Sequence, residues 1–474
     1  MLVHQLAEYA VNEQTSKLPP EVWHHAKRAV IDWYASLLPG SLVTPATLLE
    51  QALAEDLDHG KARLASGRAA TIRAAALING AASHSVEFDD IYRDAGYHPG
   101  SPIIAAALAA AQASGASGEL FLRGVIVGYE ISTRIGEAVM PSHYQYWHTT
   151  GTIGSFGAAA AVATILKCNA AQVAHALATV ATMAAGLQQA YRMQAMSKPI
   201  HSGHAAEVGA LAAMAAAKGV TGATDILEGE VGFGNAMSTG ADWSKATRDL
   251  GRRYNINVMT FKNHGCCGHT FAPIDGALHL QKTHGFQWSD IKRMKIATYK
   301  AGTDIVDNAS PEGDYQAKFS VQYVTAHALV HGSVRLVAFS EERMKDPNVR
   351  SLLSKIEVAA DPELSKNYPN QRAAHVEVEL KDGTVHKYFQ PTRKGDPEMP
   401  LTDDELNDKY LELAAPLLGA ADAKKLLDAL WTCDRLTDVD FRFTARPRIR
   451  AAGGTGVIRA AHVTAHDSHK RGRA

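Results

Sequence analysis

Residues Ala74–Ala113 read AAALINGAASHSVEFDDIYRDAGYHPGSPIIAAALAAAQA. Two alanine-rich runs, Ala74–Ala82 and Ala105–Ala113, enclose a polar stretch, His84–Gly100. Alanine has the best intrinsic helix propensity, so both runs read as packed helices. The stretch between them sets Glu87, Asp89, Asp90 and Asp94 close to His84, Arg93, Tyr97 and His98. Titratable groups between apolar helices must reach solvent or pair with one another. A loop of that kind on a rigid helical scaffold is where catalytic groups tend to lie. The plainer reading is a solvated acidic loop whose His98-Pro99 starts the next helix.

Helical signals extend outward on both sides. Val3–Val11 has apolar residues at helical spacing, and Pro20 can open a second helix in its first turn. Glu21–Leu38 reads as a long helix stopped by Pro39-Gly40. Ala69–Ser83, Pro102–Ser114, Gly118–Met140, Ala170–Gln189 and Ala205–Lys218 continue the pattern. Met193–His204 reads as a break that carries Lys198, His201 and His204. Small residues at Gly151, Gly154, Gly157 and Ala158–Ala161 permit close helix packing.

After Cys267 the pattern changes. Ile291–Tyr299 and Lys355–Ala359 alternate apolar and polar residues as strands do. His375–Leu380 and Thr384–Phe389 flank Lys381-Asp382-Gly383, a hairpin signal. Thr402-Asp403-Asp404-Glu405 is a helix N-cap followed by acids, and helix resumes to Leu430. The expected fold is therefore mainly α with an α+β insert. The boundaries read as a helical unit over 1–268 and 398–440 and an α/β unit over 270–395. The arginine-rich tail, 441–474, has no periodicity and reads as partly disordered or as a packing arm.

Composition narrows the function classes. Hydrophobic residues make up 46% of the 474, ordinary for a globular chain with a sizeable core. With 48 basic and 49 acidic residues the net charge is -1, which argues against a dedicated nucleic-acid binder. No apolar run reaches the roughly 18 residues a membrane helix needs. The N-terminus lacks the apolar core of a signal peptide. Four cysteines, Cys168, Cys266, Cys267 and Cys433, form no CxxC pair and no zinc spacing, which fits a reducing cytoplasm and implies no metal.

Several further segments carry chemistry-bearing residues. Trp147-His148-Thr149-Thr150-Gly151 puts a histidine and two hydroxyls at a helix start, where backbone N–H groups favour anions. Lys262-Asn263-His264-Gly265-Cys266-Cys267-Gly268-His269 joins the two parts of the chain. Tyr323 lies near a helix start in Lys318-Phe319-Ser320-Val321-Gln322-Tyr323. Taken alone, each has a bland reading: a capping cluster, a surface lysine, a crossover with buried thiols, a core tyrosine. The chain has no Walker loop, no dinucleotide fingerprint and no Gly-x-Ser-x-Gly elbow.

Together these segments resemble the MmgE/PrpD family. The matching blocks are Gly80 followed by HSVEFDD, then GYHPGSPIIAAALAA, WHTTGTIGSFGAAAA, SKPIHSGHAA, FKNHGCCGHTFAPID, KFSVQYVTAHAL and GDPEMPLTDDEL with a later KY, in that order. The resemblance implies a large helical domain with a smaller α/β lid, a homodimer, and a pocket between the domains. It implies action on small polycarboxylates without metal or organic cofactor, by a dehydratase, a decarboxylase or an epimerase.

Carrying a decarboxylase-type pocket over by motif gives His98, His148, Lys198, Lys262 and Tyr323 as matches. It puts Glu87 where that pocket has an Asp, Ile91 where it has a Thr, and Cys267 where it has a His. His201 and His264 flank the same motifs. The chemistry suits these residues. Lysines bind carboxylates, and removing a proton α to a carboxylate needs a base and a stabilised oxyanion. The leading expectation is a cofactor-independent dehydratase-type lyase acting on a small di- or tricarboxylate. Alternatives are an epimerase or a decarboxylase, or, in another class, a catalytically silent ligand-binding protein.

Overall fold

The computed structural model describes residues 1–193, 195–368 and 370–445. Among the described residues, eight helices of twelve or more residues fill the first half: α1 (Leu2–Glu13), α2 (Pro20–Gly40), α3 (Ile72–Ser85), α4 (Gly100–Ser114), α5 (Gly118–Val139), α6 (Thr149–Ile165), α7 (Ala170–Ala181) and α8 (Ser197–Ala217). Every residue of α6 is buried. Its run of Gly and Ala has no polar face, the pattern of a helix enclosed on all sides. Close approach explains the small residues. A Cβ on Gly157 would meet Ile103 Cδ1 at 2.6 Å, and one on Gly203 would meet the Leu77 carbonyl oxygen at 2.2 Å.

Four sequence boundaries shift. The helix expected over Ala69–Ser83 starts only at Ile72, leaving Ala69–Ala70 to a strand. Pro39 lies inside the last turn of α2 and does not stop it before Gly40. The helix expected over Ala170–Gln189 ends at Ala181. The break expected over Met193–His204 is shorter, because α8 begins at Ser197 and carries Lys198 and His201 on its first turns. Pro199 falls where a helix tolerates proline, among N–H groups that have no intrahelical partner. A two-stranded hairpin, β1 (Leu57–Arg63) with β2 (Ala69–Ala70), had no sequence signal.

The strands of the second part are β3 (Ile291–Thr298), β4 (Ile356–Ala360), β5 (Ala374–Leu380) and β6 (Val385–Gln390), ordered β4-β3-β5-β6. Only β3 and β4 run parallel. The β5–β6 turn has Gly383 at φ +89°, a left-handed conformation that glycine adopts freely. Helices α9 (Phe271–His284) and α10 (Val321–His331) pack with this sheet in one hydrophobic cluster. The other main cluster draws on residues 3 to 261 and again on 401 to 445. It includes α11 (Asp403–Leu418), whose Thr402 and Glu405 form a reciprocal capping box.

Of the arginine-rich tail, residues 441–445 pack on the helices. Phe441 and Phe443 meet the Tyr34 ring edge-on, and the Ala445 N–H donates to the Ala65 carbonyl at 3.0 Å. Residues 446–474 lie outside the described residues. No helix among the described residues is long and apolar enough to cross a membrane.

Candidate active site

Helix α3 ends at Ser85 with His84 buried in its last turn. Two residues later Glu87 takes φ +58°, a left-handed conformation that is costly for a residue with a Cβ. Two lysines brace this turn through its carbonyls. Lys262 Nζ donates to the Glu87 carbonyl at 2.7 Å. Lys409 Nζ, from α11, donates to the Phe88 carbonyl at 2.9 Å and to Asp32 at 2.6 Å.

The turn aims the Glu87 carboxylate at Lys198 on α8, with which it forms an ion pair. The Glu87 side chain is 47% open, whereas its partner Lys198 is only 9% open. Burial alone would raise its pKa. Lys198, His84 and Lys262 outweigh burial and hold the carboxyl well below the usual carboxylate range. The Lys198 ammonium also lies 5.2 Å from the centre of the Tyr191 ring.

Asp89 is the hub of a second group. Its Oδ2 accepts from His84 Nδ1 at 2.7 Å and from Ser101 Oγ at 2.8 Å, and lies 3.4 Å from His98 Nδ1. Against the burial that would raise its pKa, His84 and His98 hold Asp89 well below the ordinary range. An ionised carboxylate only accepts hydrogen bonds, so His84 keeps its hydrogen on Nδ1, and the nearness of Asp89 Oδ2 favours the same tautomer of His98. His98 is thereby left with Nε2 as a free base. Burial lowers the His98 pKa to about 4, with Asp89 acting in the opposite direction.

Helix α6 delivers the next histidine. His148 caps its N-terminus, and its N–H is fixed by the Gly186 carbonyl at 2.9 Å. Thr149 Oγ1 donates to the Gly96 carbonyl at 2.5 Å, and Thr150 Oγ1 accepts from the His98 N–H at 3.3 Å. These two hydroxyls tie the polar loop to α6 and bring His98 and His148 together. The rings continue as a row. His84 meets His98 edge-on at 4.9 Å and stacks on His148 at 5.6 Å, and His148 Nδ1 lies 3.2 Å from His201 Nδ1. Burial first, then the neighbouring His84 and Lys198 among others, lowers the pKa of His148 and brings His201 to about 4. A bound anion would raise both, because a nearby negative charge favours the imidazolium.

Glu87, His98, His148, Lys198, Lys262 and His201 thus come together from four separate chain segments. The backbone of Cys267 is anchored by its N–H on the Lys318 carbonyl at 2.9 Å, and burial pushes its thiol pKa up. Ile91 contributes backbone only: it exchanges N–H···O bonds of 2.9 Å with Thr260. His264 is a brace, paired with Asp275 at 2.9 Å and packed on Phe271.

Tyr323 is not brought to this group. It is buried in the core of the sheet unit, and its hydroxyl donates to the Ala338 carbonyl. Its neighbours are His327 and Phe339, and the charges it feels are Arg350, Asp346 and Arg343. The tyrosines that sense Glu87 and Cys267 are Tyr191, raised by burial to about 12, and Tyr315, also raised by burial. Neither has a sequence signal: each sits on a short helix, Gln188–Arg192 and Asp314–Lys318, and stays about half exposed at the edge of the group. His84 and Asp89 were visible in the polar stretch, but their pairing depends on the turn at Glu87.

His84, Asp89 and His98 also offer three ligand atoms within 4.8 Å of one another, a geometry that could hold a metal ion. The 2.7 Å separation of His84 Nδ1 and Asp89 Oδ2 is a hydrogen-bond distance. Two atoms bound to one cation at about 2.1 Å each would stand farther apart.

Two family models match the chain. The MmgE/PrpD N-terminal domain covers residues 4–246 and the MmgE/PrpD C-terminal domain residues 264–433. Cis-aconitate decarboxylase of Aspergillus terreus is 25% identical over 92% of this chain and 94% of its own length. The human cis-aconitate decarboxylase is 27% identical over 77% of each chain. The mitochondrial 2-methylcitrate dehydratase of Yarrowia lipolytica is 29% identical over 35% of this chain and 34% of its own.

Proposed function

The chain belongs to the MmgE/PrpD family, and from that premise we propose a cofactor-independent lyase of the dehydratase type, acting on a small di- or tricarboxylate such as 2-methylcitrate. The observation that carries the reading is the pairing of a neutral His98 with an ionised Asp89 beside Lys198 and Lys262. Lys198 and Lys262 hold a substrate carboxylate. His98 Nε2 removes the proton α to that carboxylate, and Asp89 stabilises the imidazolium that forms. The two ammonium groups stabilise the charge that builds up on the carboxylate oxygens. A raised-pKa phenol, Tyr191 or Tyr315, protonates the departing hydroxyl.

A decarboxylase is the second reading. It is favoured by the long coverage of the chain by cis-aconitate decarboxylases. The same residues serve an epimerase if His148 returns the proton on the opposite face. The proposal includes a homodimer in a reducing cytoplasm; the four free cysteines agree with that compartment.

The test is turnover of 2-methylcitrate, citrate and cis-aconitate, followed by loss of water, release of carbon dioxide and entry of solvent deuterium. Dehydration that survives a chelator is expected. Deuterium entry without net conversion would make the enzyme an epimerase, and activity restored to chelated protein only by a divalent ion would assign the His84, Asp89 and His98 cluster to a metal. No reaction with any of the three acids would overturn the reading.

A further inference from the structure

One end of the sheet gathers residues that the proposed chemistry does not use. Thr298 is in register with Ala374, and Ala374 with Gln390. Tyr299, Arg372 and Arg393 lie one to three residues beyond these positions, so all three issue from the same sheet end. They meet the turn Cys267-Gly268-His269. Tyr299 stacks on Tyr368 with ring centres 4.7 Å apart and planes inclined by 16°. His269 Nδ1 lies 2.7 Å from the Tyr299 hydroxyl, and the Arg372 guanidinium 5.9 Å from the Tyr368 ring centre. A Cβ on Gly268 would come within 2.9 Å of Arg393 Nη1, so the missing side chain lets that guanidinium approach the turn.

The charges here are unequally answered. Arg393 makes a bidentate pair with Asp396, at 2.9 and 2.8 Å. Lys198 pairs with Glu87, and Lys262 is tied to a carbonyl. Arg372 is partly buried and, among the described residues, has neither an acidic partner nor a hydrogen bond. Burial first, then the like charge of Arg393, lowers its pKa, and Tyr299, Tyr368 and Asp396 only partly offset them. A guanidinium held out of bulk water beside another cation is unfavourable until an anion meets it. Its planar fork suits a carboxylate. Cys267 joins this cluster to the catalytic group, since its sulfur feels Lys262 as well as Arg372 and Arg393.

We propose that Arg372, with His269 beside it, forms a second anion subsite across Cys267 from the two lysines. It receives the distal carboxylate of a substrate whose reacting end sits at Lys198 and Lys262. The inference rests on the polycarboxylate reading above and narrows it to acids with at least two well-separated carboxylates.

Binding of tricarballylate, butyrate and inorganic phosphate to the full chain tests this by titration calorimetry, with the thermal midpoint as a folding control. For Arg372→Gln, tricarballylate binding should weaken about tenfold or more while butyrate binding holds, the loss expected for a charge-assisted bidentate contact. Arg372→Lys should recover part of the loss, and it carries the comparison if the Gln variant does not fold. Unchanged tricarballylate binding in Arg372→Gln would overturn the subsite and leave the polycarboxylate reading standing. Arg372-dependent binding of phosphate alone would keep the subsite and overturn that reading. Wild-type protein that binds neither tricarballylate nor phosphate would overturn both.

Discussion

A single residue, Glu87, sets the orientation of much of the candidate site. Its φ of +58° costs conformational energy, and the cost is met by Lys262 and Lys409 on the carbonyls of residues 87 and 88. In return its carboxylate faces Lys198, and the next turn of chain places Asp89 between two histidines. His98 is the group through which this arrangement reaches a substrate. Replacing it with Gln keeps a side chain of similar size and removes the base. Steady-state kinetics should show kcat lower by about 10²–10⁴ with KM little changed, the usual cost of losing a positioned acid or base. An unchanged kcat, or a loss confined to KM, would remove His98 from proton transfer.

Helices α3 and α8 hold the two sides of the site at a fixed separation. Gly203 on α8 faces the Leu77 carbonyl, and Gly80 on α3 faces the Gly203 Cα. Lys198 lies about one and a half turns before Gly203, by the spacing of an α-helix. Gly203→Ala would put a methyl group 2.2 Å from the Leu77 carbonyl oxygen, so the helices must part. Overpacking of this kind costs about 1–3 kcal/mol. Urea unfolding should show that loss, and kcat/KM should fall as Lys198 is drawn away from Glu87. A variant as stable and active as the wild type would mean that this contact does not set the helix spacing.

Several buried histidines, His143, His148 and His327 among them, are held below the usual imidazole range by burial, which gives the stability of the molecule a definite pH dependence. His143 is fully buried between the Met237 carbonyl at 2.9 Å and Thr152 Oγ1 at 2.7 Å, and burial lowers its pKa to about 4. An unfolded histidine titrates near 6.5. Between pH 6.5 and 4 the unfolded chain therefore binds a proton that the folded chain refuses, and stability falls as the pH falls through that window. Glu130, pushed up to about 7 by burial, works in the opposite direction and partly masks the effect in the intact protein. The contribution of one histidine is isolated by comparing the wild type with His143→Gln. On going from pH 7 to pH 5 the variant should lose about 1–2 kcal/mol less than the wild type in denaturant unfolding. Equal losses would mean that His143 is protonated without cost in the folded protein.

The sequence alone determined most of the long helices, though not all of their ends, because alanine-rich runs with polar breaks have few other stable forms. It also determined the four-stranded part, because strict alternation and an Asp-Gly turn are local signals. It singled out His98, His148, Lys198, Lys262 and Glu87 as site candidates. The β1 strand escaped because Leu57–Arg63 has an interior Gly60 and no alternation, and it pairs through backbone. Motif position singled out Tyr323, but it cannot say which way a phenol points. That choice is made when α10 turns Tyr323 into its own core and α8 carries Lys198 to Glu87. Which charges remain unpaired, Arg372 above all, was likewise decided only by tertiary structure. Pairing depends on distance between segments hundreds of residues apart, and no local pattern encodes that distance.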